Sequence, residues 1–86
     1  MNRELKRYVK ERDEMLRKVS VPELRKFIKE HAMYFEPEFV ENINNASDEV
    51  LKITLHKMIV NVTSMPKELR ETSAWWLRLH GFSVDV

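Results

Sequence analysis

Residues 47–62 read SDEVLKITLHKMIVNV, and this stretch decides the fold. Ser47 is a good helix N-cap, and Asp48 and Glu49 follow it where the helix dipole favours negative charge. At about 100° per residue, Leu51, Leu55, Met58, Ile59 and Val62 share one face, and Ile53 and Val60 lie on the opposite side. His56 falls on a polar face. A helix that is apolar on two sides is either central to a helical bundle or part of an interface.

The flanking segments continue the helical pattern. Upstream, Pro37 opens a short helix over 37–44 that presents Phe39, Val40 and Ile43, and Asn44-Asn45 can close it in the left-handed conformation. Before that, Ser20 and Glu23 have capping-box spacing, with Pro22 in the first turn and Val19 and Leu24 at the staple positions. That helix carries Leu24, Phe27, Ile28, His31 and Phe35 on one face. It is expected over 22–35, because Pro37 disfavours helical geometry at Glu36. The first helix, 3–18, has only a narrow seam of Leu5, Val9, Leu16 and Val19 flanked by Tyr8 and Met15. Arg12 interrupts that seam and is expected to reach for water.

Downstream, a last helix over 66–80 opens near Ser64 with Pro66 in its first turn. Gly81 stands at C′ and Phe82 at the position of a Schellman contact. Its expected inward face is Leu69, Thr72, Ser73, Trp76 and His80, with Leu77 at one edge. Trp75 lies on the flank toward Leu79. On that reading Trp76→Ala costs roughly 3–5 kcal/mol, as for a buried large-to-small change. Residues 81–86 form a short tail, expected to be extended. The fold class is therefore all-α, with 1–86 a single helical domain: a small bundle of four longer helices plus one short helix around a single layer-packed core. One glycine, three prolines and 34% charged residues suit that class.

Composition also narrows function. Eighty-six residues bury only about 60–65% of their unfolded surface, so stability is modest unless the chain oligomerises. There is no cysteine, hence no disulfide framework and no thiolate metal site. The first eighteen residues carry eleven charges and no apolar signal core, which makes a cytoplasmic location the expectation. No apolar run reaches the roughly 18 residues of a membrane span. The histidines, His31, His56 and His80, offer no i, i+3 or i, i+4 pair for a metal. No nucleophile elbow or glycine-rich phosphate loop is present, so no catalytic residue, cofactor or small-molecule substrate is expected, and the chain reads as a non-enzyme.

Three binding readings remain. The first is a protein-interaction or regulatory module whose partner is another protein or itself, a homo-oligomer. It uses apolar surface left over beside Trp75, with Leu79, Tyr8, Arg12, Ile53 and Val60 as contact residues. Tryptophan is enriched among interface anchors, and the apolar arc of the last helix, about 200° wide, exceeds what one neighbour covers. The second is nucleic-acid binding, with Lys6, Arg7, Lys10, Arg17 and Lys18 on phosphates, since residues 1–35 carry a net charge of +4. Interspersed Glu4, Glu11, Asp13 and Glu14 dilute that patch, and it is not favoured. The third is an inhibitor-like dock of the acidic segment 36–49 (Glu36, Glu38, Glu41, Asp48 and Glu49, net −5) on a basic partner protein.

Overall fold

The computed structural model describes residues 3–84, and every regular element in them is helical. Helix α1 spans Arg3–Lys18, α2 Val21–Glu30, α3 Pro37–Asn45, α4 Asp48–Asn61 and α5 Lys67–Leu79, with a 3₁₀ turn at Ala32–Tyr34 between α2 and α3. Asp85 and Val86, which belong to the expected tail, lie outside the described residues.

Helix α4 is the hub. It packs against α1, α2 and α5, and its Leu51, Leu55, His56 and Ile59 are all buried. Ser47 Oγ accepts the Val50 N–H at 3.2 Å, so the cap expected from Ser47 forms. Around α4 the core draws Met15 and Leu16 from α1, Leu24, Phe27 and Ile28 from α2, and Ile43 from α3. Met65, in the connection to α5, closes it.

The seam on α1 is buried only at its C-terminal half. Leu5 and Val19 are exposed, and Met15, expected at the edge, is a core residue. For Leu5 the reason is length: α2 has ten residues against the sixteen of α1, so the start of α1 meets only the C-terminal part of α2 and the aromatic side chains just beyond it. Tyr8 lies 5.4 Å from Phe27 and 4.9 Å from Tyr34, ring centre to ring centre.

Three local expectations are corrected. Ser20 makes no side-chain cap, because the two-residue reversal from α1 puts Val19 at φ +49° and exposes it, and Glu23 pairs instead with Lys18 at 3.6 Å. Helix α2 stops at Glu30, short of residue 35; the 3₁₀ turn brings Tyr34 and Phe35 back against Tyr8, where further α-helix would rotate them away. Asn44 and Asn45 remain helical, and the end of α3 is capped from outside. The Arg25 guanidinium donates to the Ala46 carbonyl at 2.8 Å and to that of Ile43 at 3.4 Å. The end of α5, by contrast, is the expected Schellman motif: Phe82 N–H reaches the Leu77 carbonyl at 2.8 Å, Gly81 N–H that of Arg78 at 3.0 Å, and Gly81 has φ +79°.

Candidate interaction surface

Helix α5 turns a different side inward from the one its sequence suggests. Ser73 and Leu77 are buried and Leu69 packs on the core, whereas Thr72 and His80, expected inside, are exposed. On a helical wheel this rotates the buried face by roughly 60° toward Leu77. Trp76 becomes a half-buried boundary residue, which suits a large ring with a polar edge that is seldom completely enclosed.

The same rotation aims Trp75 almost directly away from the core. It is 66% exposed, and Leu79, one turn on, is 64% exposed. Val60 of α4 faces Trp75 across a shallow groove that Lys67, Arg70, Glu71, Ala74 and Arg78 also line, and Leu79 lies outside it. Ile53 lies half-buried on the Val60 side of α4. Four of the expected contact residues, Trp75, Leu79, Val60 and Ile53, therefore belong to the α4–α5 pair. Two do not. Tyr8 is packed in the α1–α2 aromatic cluster, and Arg12, instead of reaching freely into water, pairs with Asp13 at 3.1 Å with a mostly buried side chain. No α1 residue lines the groove.

Beneath Trp75 lies a polar contact that wheel geometry concealed. His56, expected on a polar face, is only 6% exposed because α5 covers it, and its Nδ1 is 2.9 Å from the Ser73 hydroxyl. The Trp76 ring stacks between His56 and His80, 4.3 Å from each, with Lys52 Nζ 5.4 Å from its centre. Burial, reinforced by the charges of Lys52 and His80, pulls the His56 pKa below its usual value and favours the neutral ring. A serine within hydrogen-bond reach of a histidine has the spacing of a nucleophile and its base. Here the hydroxyl is sealed between two helices, where it satisfies the imidazole and cannot meet a substrate.

His31 occupies a comparable niche on the other side, ringed by Tyr8, Phe27 and Tyr34. Its Nε2 is 2.6 Å from a Glu11 carboxylate oxygen, although off the N–H axis. Glu11 also accepts from Arg7 at 3.0 Å, and chiefly that bond holds its carboxyl below the ordinary range. No group of three or more His, Asp or Glu among the described residues is placed to hold a metal.

The charged candidates are partly spent inside the chain. Arg7 and Lys18 of the proposed phosphate set already pair with Glu11 and Glu23, leaving Lys6, Lys10 and Arg17 on the exposed face of α1. Asp48 of the acidic set is bound by Arg25 at 2.9 Å, so the basic and acidic segments meet within one chain at that point. Glu36, Glu38, Glu41 and Glu49 remain exposed.

A further apolar patch went unrecognised in the sequence. Met33 is 78% exposed, and Tyr34 and Phe39 beside it are also open to solvent, with Phe35 stacked on Phe39 at 5.3 Å. The signal is the run Met33-Tyr34-Phe35, which falls inside the expected helix 22–35 although it is unusually apolar for a helix end. No helix among the described residues is long and apolar enough to cross a membrane. Comparison with protein-family models, with curated proteins and with solved structures finds no match to this chain.

Proposed function

We propose that this chain is a small non-enzymatic interaction or regulatory module, a compact helical bundle that self-associates through the apolar surface around Trp75. The observation that supports it most is Trp75 itself, two-thirds exposed on the side of α5 opposite its buried face. Leu79 and Val60 extend it into a patch rimmed by charge, the arrangement of an aromatic anchor awaiting a complementary surface.

The two tryptophans make the reading directly testable, because Trp76→Phe leaves Trp75 as the sole indole. In that variant, emission is expected to shift to the blue and acrylamide quenching to fall as protein concentration rises. Constant, fully quenchable emission at all concentrations would count against self-association through Trp75. Protection that arises only when a different protein is added would keep Trp75 as the anchor and replace self by that partner.

Nucleic-acid contact by Lys6, Lys10 and Arg17 is the second reading, supported by their exposure along one helix. It requires binding that falls steeply with salt, by the counterion release that accompanies phosphate contacts. No shift of a labelled duplex or single strand at low salt would dismiss it.

A further inference from the structure

The molecule carries two apolar patches of opposite charge. The α4–α5 groove sets Val60, Ala74 and Trp75 among Lys67, Arg70 and Arg78, against one carboxylate, Glu71. The second patch covers the 3₁₀ turn and the start of α3, where Met33, Phe35, Phe39 and Val40 lie beside Glu36 and Glu41. Neither depression on that side is lined by a lysine or arginine. Glu38, also exposed on α3, adds a third carboxylate nearby.

These charges are available. Among the described residues, Glu36, Glu38 and Glu41 form no ion pair, and neither does Arg78. The Lys67–Glu71 pair spans 3.8 Å in open solvent and holds little. Helix α3 packs chiefly on α2 and α5 chiefly on α4, and no residue lines both patches.

We propose that the occupant of the α4–α5 groove is the acidic aromatic patch of a second copy of this chain, joined head to tail. Two grooves meeting face to face would set one basic rim against another, a like-charge juxtaposition that disfavours the contact. Groove against patch places Arg78 and Lys67 opposite Glu36 and Glu41. It also gives Trp75 a neighbour in Met33, whose unbranched thioether adapts to aromatic surfaces. The contact joins two different surfaces: made twice across a two-fold axis it gives a reciprocal pair, and made once per neighbour it closes into a ring or continues as a chain. This inference rests on the proposal that Trp75 is the self-association surface and supplies the surface it meets.

The test uses two variants of the full chain, read by sedimentation and light scattering, with circular dichroism to verify helix content. The groove variant is Trp75→Ala with Arg78→Glu. The patch variant is Glu36→Lys with Glu41→Lys, leaving Glu38 at the N-terminus of α3 where the dipole favours it. Should the patch variant lose helix, Met33→Ser, at an exposed position in the 3₁₀ turn, takes its place. Each variant alone should associate at least about tenfold more weakly than wild type, the usual loss at an anchor residue. An equimolar mixture of the two should regain a one-to-one complex, since one intact groove meets one intact patch. That complex should weaken as salt rises. If the patch variant associates like wild type while the groove variant does not, the groove pairs with itself; the Trp75 proposal stands and head-to-tail docking falls. If both variants associate like wild type, or wild type stays monomeric, the Trp75 proposal fails and the docking inference with it.

Discussion

Alanine replacements at Trp75, Trp76 and Leu77, one at a time, would separate surface from core across three adjacent residues. Leu77 has no exposed surface, so its truncation should cost about 3 kcal/mol, within the roughly 2.7–5 kcal/mol range for buried leucines. Trp75 hides only about a third of a side chain that covers at most about 250 Å². The hidden area of roughly 80 Å², at about 25 cal/mol per Å², sets a ceiling near 2 kcal/mol. The unfolded chain hides part of that area too, and alanine is the better helix former, so a net loss of about 1 kcal/mol or less is expected. Trp76 should fall between, at about 2 kcal/mol, because it loses two stacked rings worth roughly 0.5–1.5 kcal/mol each. For a domain of this size about 1 kcal/mol moves the melting temperature by about 4–8 °C. Leu77→Ala should therefore melt about 12–24 °C below wild type, and Trp75→Ala within about 8 °C of it. The assay is thermal circular dichroism at the lowest workable concentration, where association adds least to apparent stability. If Trp75→Ala melts below Leu77→Ala, α5 presents Trp75 to the core and the surface proposed for it does not exist.

The buried His56 should make stability depend on pH. Its folded pKa is lowered, so the unfolded chain takes up the proton first, and stability is complete above about pH 6.5 and falls as pH drops from there toward the folded value. His56→Gln should flatten urea midpoints between pH 7.5 and 5.5; an unchanged pH slope would mean His56 does not titrate as its burial requires. Arg25→Met removes the bonds to the Ala46 carbonyl and Asp48, and should lower stability by about 1–2 kcal/mol. An unaltered urea midpoint would reduce that guanidinium to a solvated decoration. Val19→Gly should raise the melting temperature by about 2–4 °C, since a β-branched residue at φ +49° sits where glycine suffers no steric cost. A lower melting temperature would show that the valine side chain contributes more by packing than its backbone loses.

Features governed by near neighbours could be read from the chain itself. The Ser47 cap, the Gly81 Schellman end and the extended Glu36 before Pro37 each depend on contacts within five residues, and each appears in the fold. The two apolar sides of α4 likewise required helices around it. What a wheel could not supply was rotation. Ser73, Leu77, Trp76 and His80 form a nearly continuous arc, and its centre is marked by burial of Leu77 and by the contact of Ser73 with His56, seventeen residues away. His56 shares its side of α4 with Lys52 and Glu49, which marks it as polar on a wheel, yet α5 covers it. Arg25 could not be recognised as the cap of α3, because the bond depends on how α2 crosses that helix end. Among the interaction candidates, Trp75 and Leu79 were identifiable as excess apolar surface, whereas Tyr8 looked equally spare until the 3₁₀ turn folded Tyr34 and Phe35 onto it.

Solution mass across a concentration series, for wild type beside Trp75→Ala, tests self-association through Trp75 most directly. Wild type should grow from monomer toward dimer or larger species as concentration rises, while Trp75→Ala, with the same helix content, should remain monomeric over that range. Equal masses for the two proteins at every concentration would contradict the role assigned to Trp75.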